Sequence, residues 1–73
     1  MPIVSSTHTV GHPQVDGRRY VTEVHTDSDG VVHRVEYLAS VGADYVAVRD
    51  ARAVQIADQL AEAEAQALLN DGA

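Results

Sequence analysis

Residues 43–69, ADYVAVRDARAVQIADQLAEAEAQALL, contain neither Gly nor Pro and are dense in the strongest helix formers. This run predicts one continuous helix, and the rest of the chain is arranged around it. At about 100° per residue, Val46, Ala53, Ile56, Leu60, Ala63 and Ala67 gather on one side. Val54, Ala57, Ala61, Ala65 and Leu68 carry the apolar surface further round, which leaves Arg52, Gln55, Asp58, Gln59, Glu62 and Gln66 as a narrower polar strip. An apolar arc this wide fits a helix with two neighbours better than one resting singly on a sheet. The run spans roughly 40 Å, longer than a compact domain of this size needs. The expected cover for the surplus is a copy of the same helix or a larger assembly, with Val46, Ala53, Ile56, Ala57, Leu60, Ala63 and Ala67 as the oligomer interface. The plain alternative is a last two turns, residues 64–70, that fray in solvent.

The length allows one small domain with a thin core. There is no Phe, Trp or Cys, so neither large aromatics nor a disulfide reinforces it, and oligomerisation is the remaining common means of stabilisation. The formal net charge of −6 opposes binding to phosphate backbones, and the Arg18-Arg19 pair reads as a solvated strand end, so no nucleic-acid partner is expected. No apolar run is long enough to span a bilayer and the N-terminal residues lack the pattern of a signal peptide. The expectation is a soluble product made in the cytoplasm without a membrane partner.

Residues 3–10, IVSSTHTV, are rich in β-branched types and predict a weak edge strand or an extended arm. Gly11-His12-Pro13 interrupts it and Asp16-Gly17 offers a turn, so residues 1–16 form one unit, expected to make its main contacts with another chain. Residues 17–73 form the other, a β-hairpin followed by the helix. The hairpin runs from Arg18 to Thr26 and from Val31 to Leu38. Placing Tyr20, Thr22 and Val24 on the core face with Val35 and Tyr37 requires an even loop, and a four-residue loop, residues 27–30, sets Tyr20 opposite Tyr37 and Glu23 opposite Arg34. Ser40 or Asp44 is the candidate N-cap. The fold class is α+β, in the order β-β-β-α.

Three constellations suggest chemistry. Residues 25–36, HTDSDGVVHRVE, overlay the calcium loop of an EF-hand at Asp27, Asp29, Gly30, Val32 and Glu36. His25 stands where the first acidic ligand belongs and the flanks alternate like strands, so Asp27 and Asp29 read as turn carboxylates that bond local backbone amides, and replacing both by Asn is expected to change stability little. Among the histidines, His8 and His12 lie in a segment broken by Gly11 and Pro13, while the even loop puts His25 and His33 on opposite faces of the sheet, which disfavours zinc. Glu23, Glu36 and Asp44 have no evident second group suited to activating a substrate. No catalytic residue, metal ligand or cofactor site is expected.

The segments GRRYVTEVHTDSDG (17–30) and VEYLA (35–39), followed by a helix ending AEAEAQALL (61–69), resemble in style and order the small virion proteins of tailed bacteriophages and prophages. The resemblance covers most of residues 17–69 and includes no diagnostic signature. It implies a structural protein of the tail, neck or capsid surface that assembles with copies of itself and other virion proteins, and no residue roles follow from it. The rival expectation is a small cytoplasmic oligomeric interaction or regulatory protein; a calcium-binding hairpin is a third.

Overall fold

The computed structural model describes residues 2–71. Three strands, β1 (Ile3–Pro13), β2 (Arg19–Asp27) and β3 (Val32–Ala39), precede one helix, α1 (Tyr45–Asp71). The strands form an antiparallel sheet in the order β1-β2-β3, with β2 central. The α+β class and the β-β-β-α order are those expected. Met1 and residues 72–73, the extremes of the two expected units, lie outside the described residues.

The expectation that residues 1–16 serve mainly another chain is corrected, because Ile3–Pro13 pairs along β2 of the same chain. The strand accommodates its breakers through irregularities between Ile3 and Ser5 and between Val10 and Pro13, so Gly11 and Pro13 shift the register without ending the ladder.

Both hairpins use the same turn. Gln14 N–H donates to Arg18 O (2.7 Å) and Gly17 N–H to Gln14 O (2.9 Å); Asp27 N–H donates to Val31 O (3.0 Å) and Gly30 N–H to Asp27 O (3.0 Å). Each is a three-residue loop, residues 15–17 and 28–30, that ends in Asp-Gly with the glycine at positive φ, 86° for Gly17 and 83° for Gly30. Left-handed backbone at the third loop position is what glycine supplies without steric cost.

The odd loop overturns the expected register. Val21 pairs with Tyr37, Glu23 with Val35 and His25 with His33, whereas Tyr20 lies opposite Leu38. Side chains alternate with a period of two, so one residue of loop length exchanges the faces of β2. The helix side of the sheet therefore receives Val21, Glu23, His25 and Asp27, and the open side receives Tyr20, Thr22, Val24 and Thr26.

Asp44 caps α1: its Oδ1 accepts from Ala47 N–H (3.1 Å) and its carbonyl from Val48 N–H (3.1 Å). The helix crosses β1 and β2. Its half-buried positions are Tyr45, Val48, Arg49, Arg52, Ala53, Ile56, Ala57 and Leu60, a regular stripe of one face. Arg52, expected on the polar strip, thus turns toward the sheet. From Ala61 to Asn70 every residue is exposed, because the helix has run past the sheet, and the molecule measures 54 × 19 × 15 Å. Only Val21 and Ala39 form a fully buried apolar core among the described residues.

Candidate functional site

The interior of the molecule is largely polar. Glu23 and His25 have no exposed surface and Asp27 is 3% exposed. Buried charge and imidazole are tolerable only where hydrogen bonds replace lost water, and the neighbouring elements supply them. On β2, His25 Nε2 lies 2.8 Å from Glu23 Oε1, two residues away on the same face. Arg52 Nε reaches down from α1 to donate to the same oxygen (2.9 Å). From β1, Ser6 Oγ lies 2.8 Å from His25 Nδ1. With Glu23 ionised, its carboxylate can only accept, so His25 donates from Nε2; if neutral, it accepts the Ser6 hydroxyl proton at Nδ1.

The Arg52 guanidinium also sits over the Tyr37 ring, 5.2 Å from its centre, which adds a cation–π attraction between α1 and β3. Glu23 Oε2 and the Tyr37 hydroxyl are buried without a hydrogen-bond partner of ordinary geometry. Burial, and then the charge of Glu23, raise the Tyr37 pKa above its usual 10.0.

A second cluster closes the β2–β3 turn. Asp27 Oδ1 accepts from the amides of Asp29 (2.9 Å) and Val31 (3.1 Å), and Oδ2 lies 2.9 Å from His33 Nε2. The His33 hydrogen bond is the main cause of a lowered Asp27 pKa, with the Val31 and Asp29 amides acting in the same direction against the cost of burial. Asp27 and Asp29 are therefore not interchangeable: the first organises the turn from inside, the second is exposed. Near the N-terminal end of α1, Arg49 Nη1 lies 3.2 Å from His8 Nδ1. Arginine has only donors, so His8 accepts there as the neutral Nε2–H tautomer.

Ser6, His25 and Glu23 have the composition of a nucleophile, base and orienting acid, a line that the expected register concealed by setting Glu23 opposite Arg34 on the face turned away from the core. Its geometry is that of a structural tie, because the imidazole and carboxylate are sealed and no described cleft opens on the serine. A shallow cleft of about 330 Å³ lies instead at the β1–β2 turn, lined by Gln14, Val15, Asp16, Arg18, Tyr20 and Leu38. There Arg18 pairs with Asp16; the Arg18 amide and guanidinium lower the aspartate's pKa, so the cleft presents no free charge from that pair.

The two paired histidines expected on opposite faces, His25 and His33, are direct cross-strand neighbours on the helix side. Their Nε2 nitrogens are nevertheless engaged by different carboxylates, and no group of three or more His, Cys, Asp or Glu among the described residues is arranged to hold a metal ion. No helix is long and apolar enough to cross a membrane.

The residues expected at an oligomer interface divide in two. Ala53, Ile56, Ala57 and Leu60 are half-buried on the sheet side of α1, while Val46, Ala63 and Ala67 are exposed. Val54 is also exposed, at 62%, as are Leu68 and Leu69, at 73% and 70%. Comparison with family models, curated proteins and solved structures finds no match to this chain.

The polar line escaped sequence reasoning for an identifiable reason. Glu23, His25 and Asp27 at alternate positions share one strand face whatever the register, and Arg49 and Arg52 interrupt an otherwise apolar helix stripe at a spacing of three. Two basic residues inside one apolar stripe and three polar residues on one strand face are complementary signals, legible once they are read together.

Proposed function

We propose that this protein is a non-enzymatic structural subunit of a tailed-phage virion, in the tail, neck or capsid surface, that acts by assembling with copies of itself and with other virion proteins. The observation that carries the assembly reading is the helix beyond Leu60. Ten consecutive residues, Ala61 to Asn70, find no cover in their own subunit, yet they include two adjacent leucines and four alanines that let another backbone approach closely. An isolated helix end is marginal in water, and a partner that buries it stabilises both. The exposed Val46 and Val54 add apolar side chains further back along α1. The virion assignment rests on the resemblance of residues 17–69 to small phage structural proteins.

The test uses Leu68→Asp, whose site is exposed, so the fold of a single subunit is not at stake. Sedimentation velocity is expected to show an oligomer for the unaltered protein and a smaller species for the variant, with unchanged circular dichroism. Equal sizes would remove the helix end as an assembly surface. For the virion role, particles purified from a producing culture are probed with an antibody to this chain. Stoichiometric recovery with the particles supports it, and recovery only as a free oligomer favours the cytoplasmic interaction protein.

A further inference from the structure

The two edges of the sheet differ. β1 is interrupted twice and ends in Pro13, both usual ways of preventing further strand addition. β3 pairs with β2 from Val32 to Ala39 without a register shift and contains neither Pro nor Gly. Its free edge is a regular strand.

Which backbone groups face that edge follows from the turn. Asp27 N–H bonds Val31 O, so the odd-numbered residues of β3 direct their amides toward β2. Val32, Arg34, Glu36 and Leu38 direct theirs outward. A strand added antiparallel to this edge must pair even residue with even residue.

The side chains select the partner. Along 32–38 the sequence is Val-His-Arg-Val-Glu-Tyr-Leu, which is chemically symmetric about Val35 up to the sign of charge. A second copy related by a two-fold axis at Val35 sets Arg34 opposite Glu36 twice and Val32 opposite Leu38 twice, all at positions with outward amides. On the helix side it sets Val35 against Val35 and His33 against Tyr37. Moving the axis by one residue either way sets Arg34 against Arg34 or Glu36 against Glu36, a like-charge pair that opposes association. Arg34 and Glu36 are both exposed and neither forms an ion pair among the described residues, so both charges are available. The helix lies over β1 and β2, which leaves the β3 side open for the second sheet.

We infer that β3 is an isologous pairing edge: two copies join antiparallel about Val35 into a continuous six-stranded sheet, held in register by reciprocal Arg34–Glu36 pairs. This deepens the proposed self-assembly by assigning it a second surface distinct from the helix end, and the experiment separates the two.

Arg34→Glu and Glu36→Arg each turn the reciprocal pairs into like charges, whereas an equimolar mixture of the two variants restores opposite charges at all four positions. Each variant alone is expected to self-associate at least roughly tenfold more weakly than the unaltered chain, and the mixture to recover a heterodimer of near-original affinity. Independently of any substitution, the amides of Val32, Arg34, Glu36 and Leu38 are expected to be protected from hydrogen exchange at high protein concentration and to exchange freely on dilution. Unchanged association of both single variants, or free exchange at every concentration, overturns pairing through β3. If that happens while Leu68→Asp still reduces the oligomer, assembly through the helix stands and only the edge is wrong.

Discussion

Arg52 Nε lies 2.9 Å from Glu23 Oε1, and this contact between residues 29 apart in sequence ties the helix to the central strand. The carboxylate is fully buried, while 28% of the arginine side chain reaches solvent. One end of the pair is therefore desolvated and the other remains partly hydrated. Such a pair contributes less through attraction than it would cost to break, because a carboxylate left buried without its cation has no water to turn to.

Arg52→Met is accordingly expected to destabilise the fold by roughly 3 kcal/mol, a large part of the stability of so small a domain. Combining Glu23→Gln with Arg52→Met removes both charges and keeps an amide oxygen to accept from His25. Most of the loss should return in the double variant. Urea denaturation of the two single variants and the double gives the coupling directly, and additive losses would show that the pair is energetically independent.

Asp27 predicts a limb of acid instability. Its folded pKa lies below the ordinary 3.8, chiefly through His33, so the unfolded chain takes up the proton first as pH falls. Its stabilising contribution is complete above about pH 4 and disappears as pH drops through the folded value. Asp27→Asn is expected to lower the melting temperature at neutral pH and to flatten the dependence on acid, while Asp29→Asn does neither. Thermal melts between neutral and acid pH check both, and identical behaviour of the two variants would refute the distinction.

Tyr37 predicts the opposite limb. Its hydroxyl is buried beside Glu23 with no hydrogen bond of ordinary geometry, and its pKa is raised, chiefly by burial, so the fold retains the proton more firmly than the unfolded chain and stability falls as pH rises from 10.0 through the folded value. Tyr37→Phe keeps the ring beneath Arg52 and removes the unsatisfied group. Stability at neutral pH should be unchanged or raised by up to about 1 kcal/mol. In spectrophotometric titration, the difference between the original protein and this variant should be one phenol that ionises above 10; a loss of stability greater than that gain would mean that the hydroxyl has a bonding role.

Local signals were enough for much of this molecule. The unbroken run of helix formers specifies α1, Asp44 specifies where it starts, and two Asp-Gly pairs mark both turns, because helix propensity, capping and left-handed backbone are set by residues within a turn or two of one another. What the sequence left undetermined was the face of β2 that enters the core. Its two alternating sets, Tyr20-Thr22-Val24 and Val21-Glu23-His25, do not separate cleanly into apolar and polar, and the even-loop reading put the more apolar set inside. Tertiary structure decided otherwise: a three-residue loop reverses the parity, and Ser6 and Arg52, 19 and 29 residues away from their partners, hydrogen-bond the imidazole and one oxygen of the carboxylate that this reversal buries. Those long-range hydrogen bonds exist only after sheet and helix have come together, so alternation along one strand could not report them.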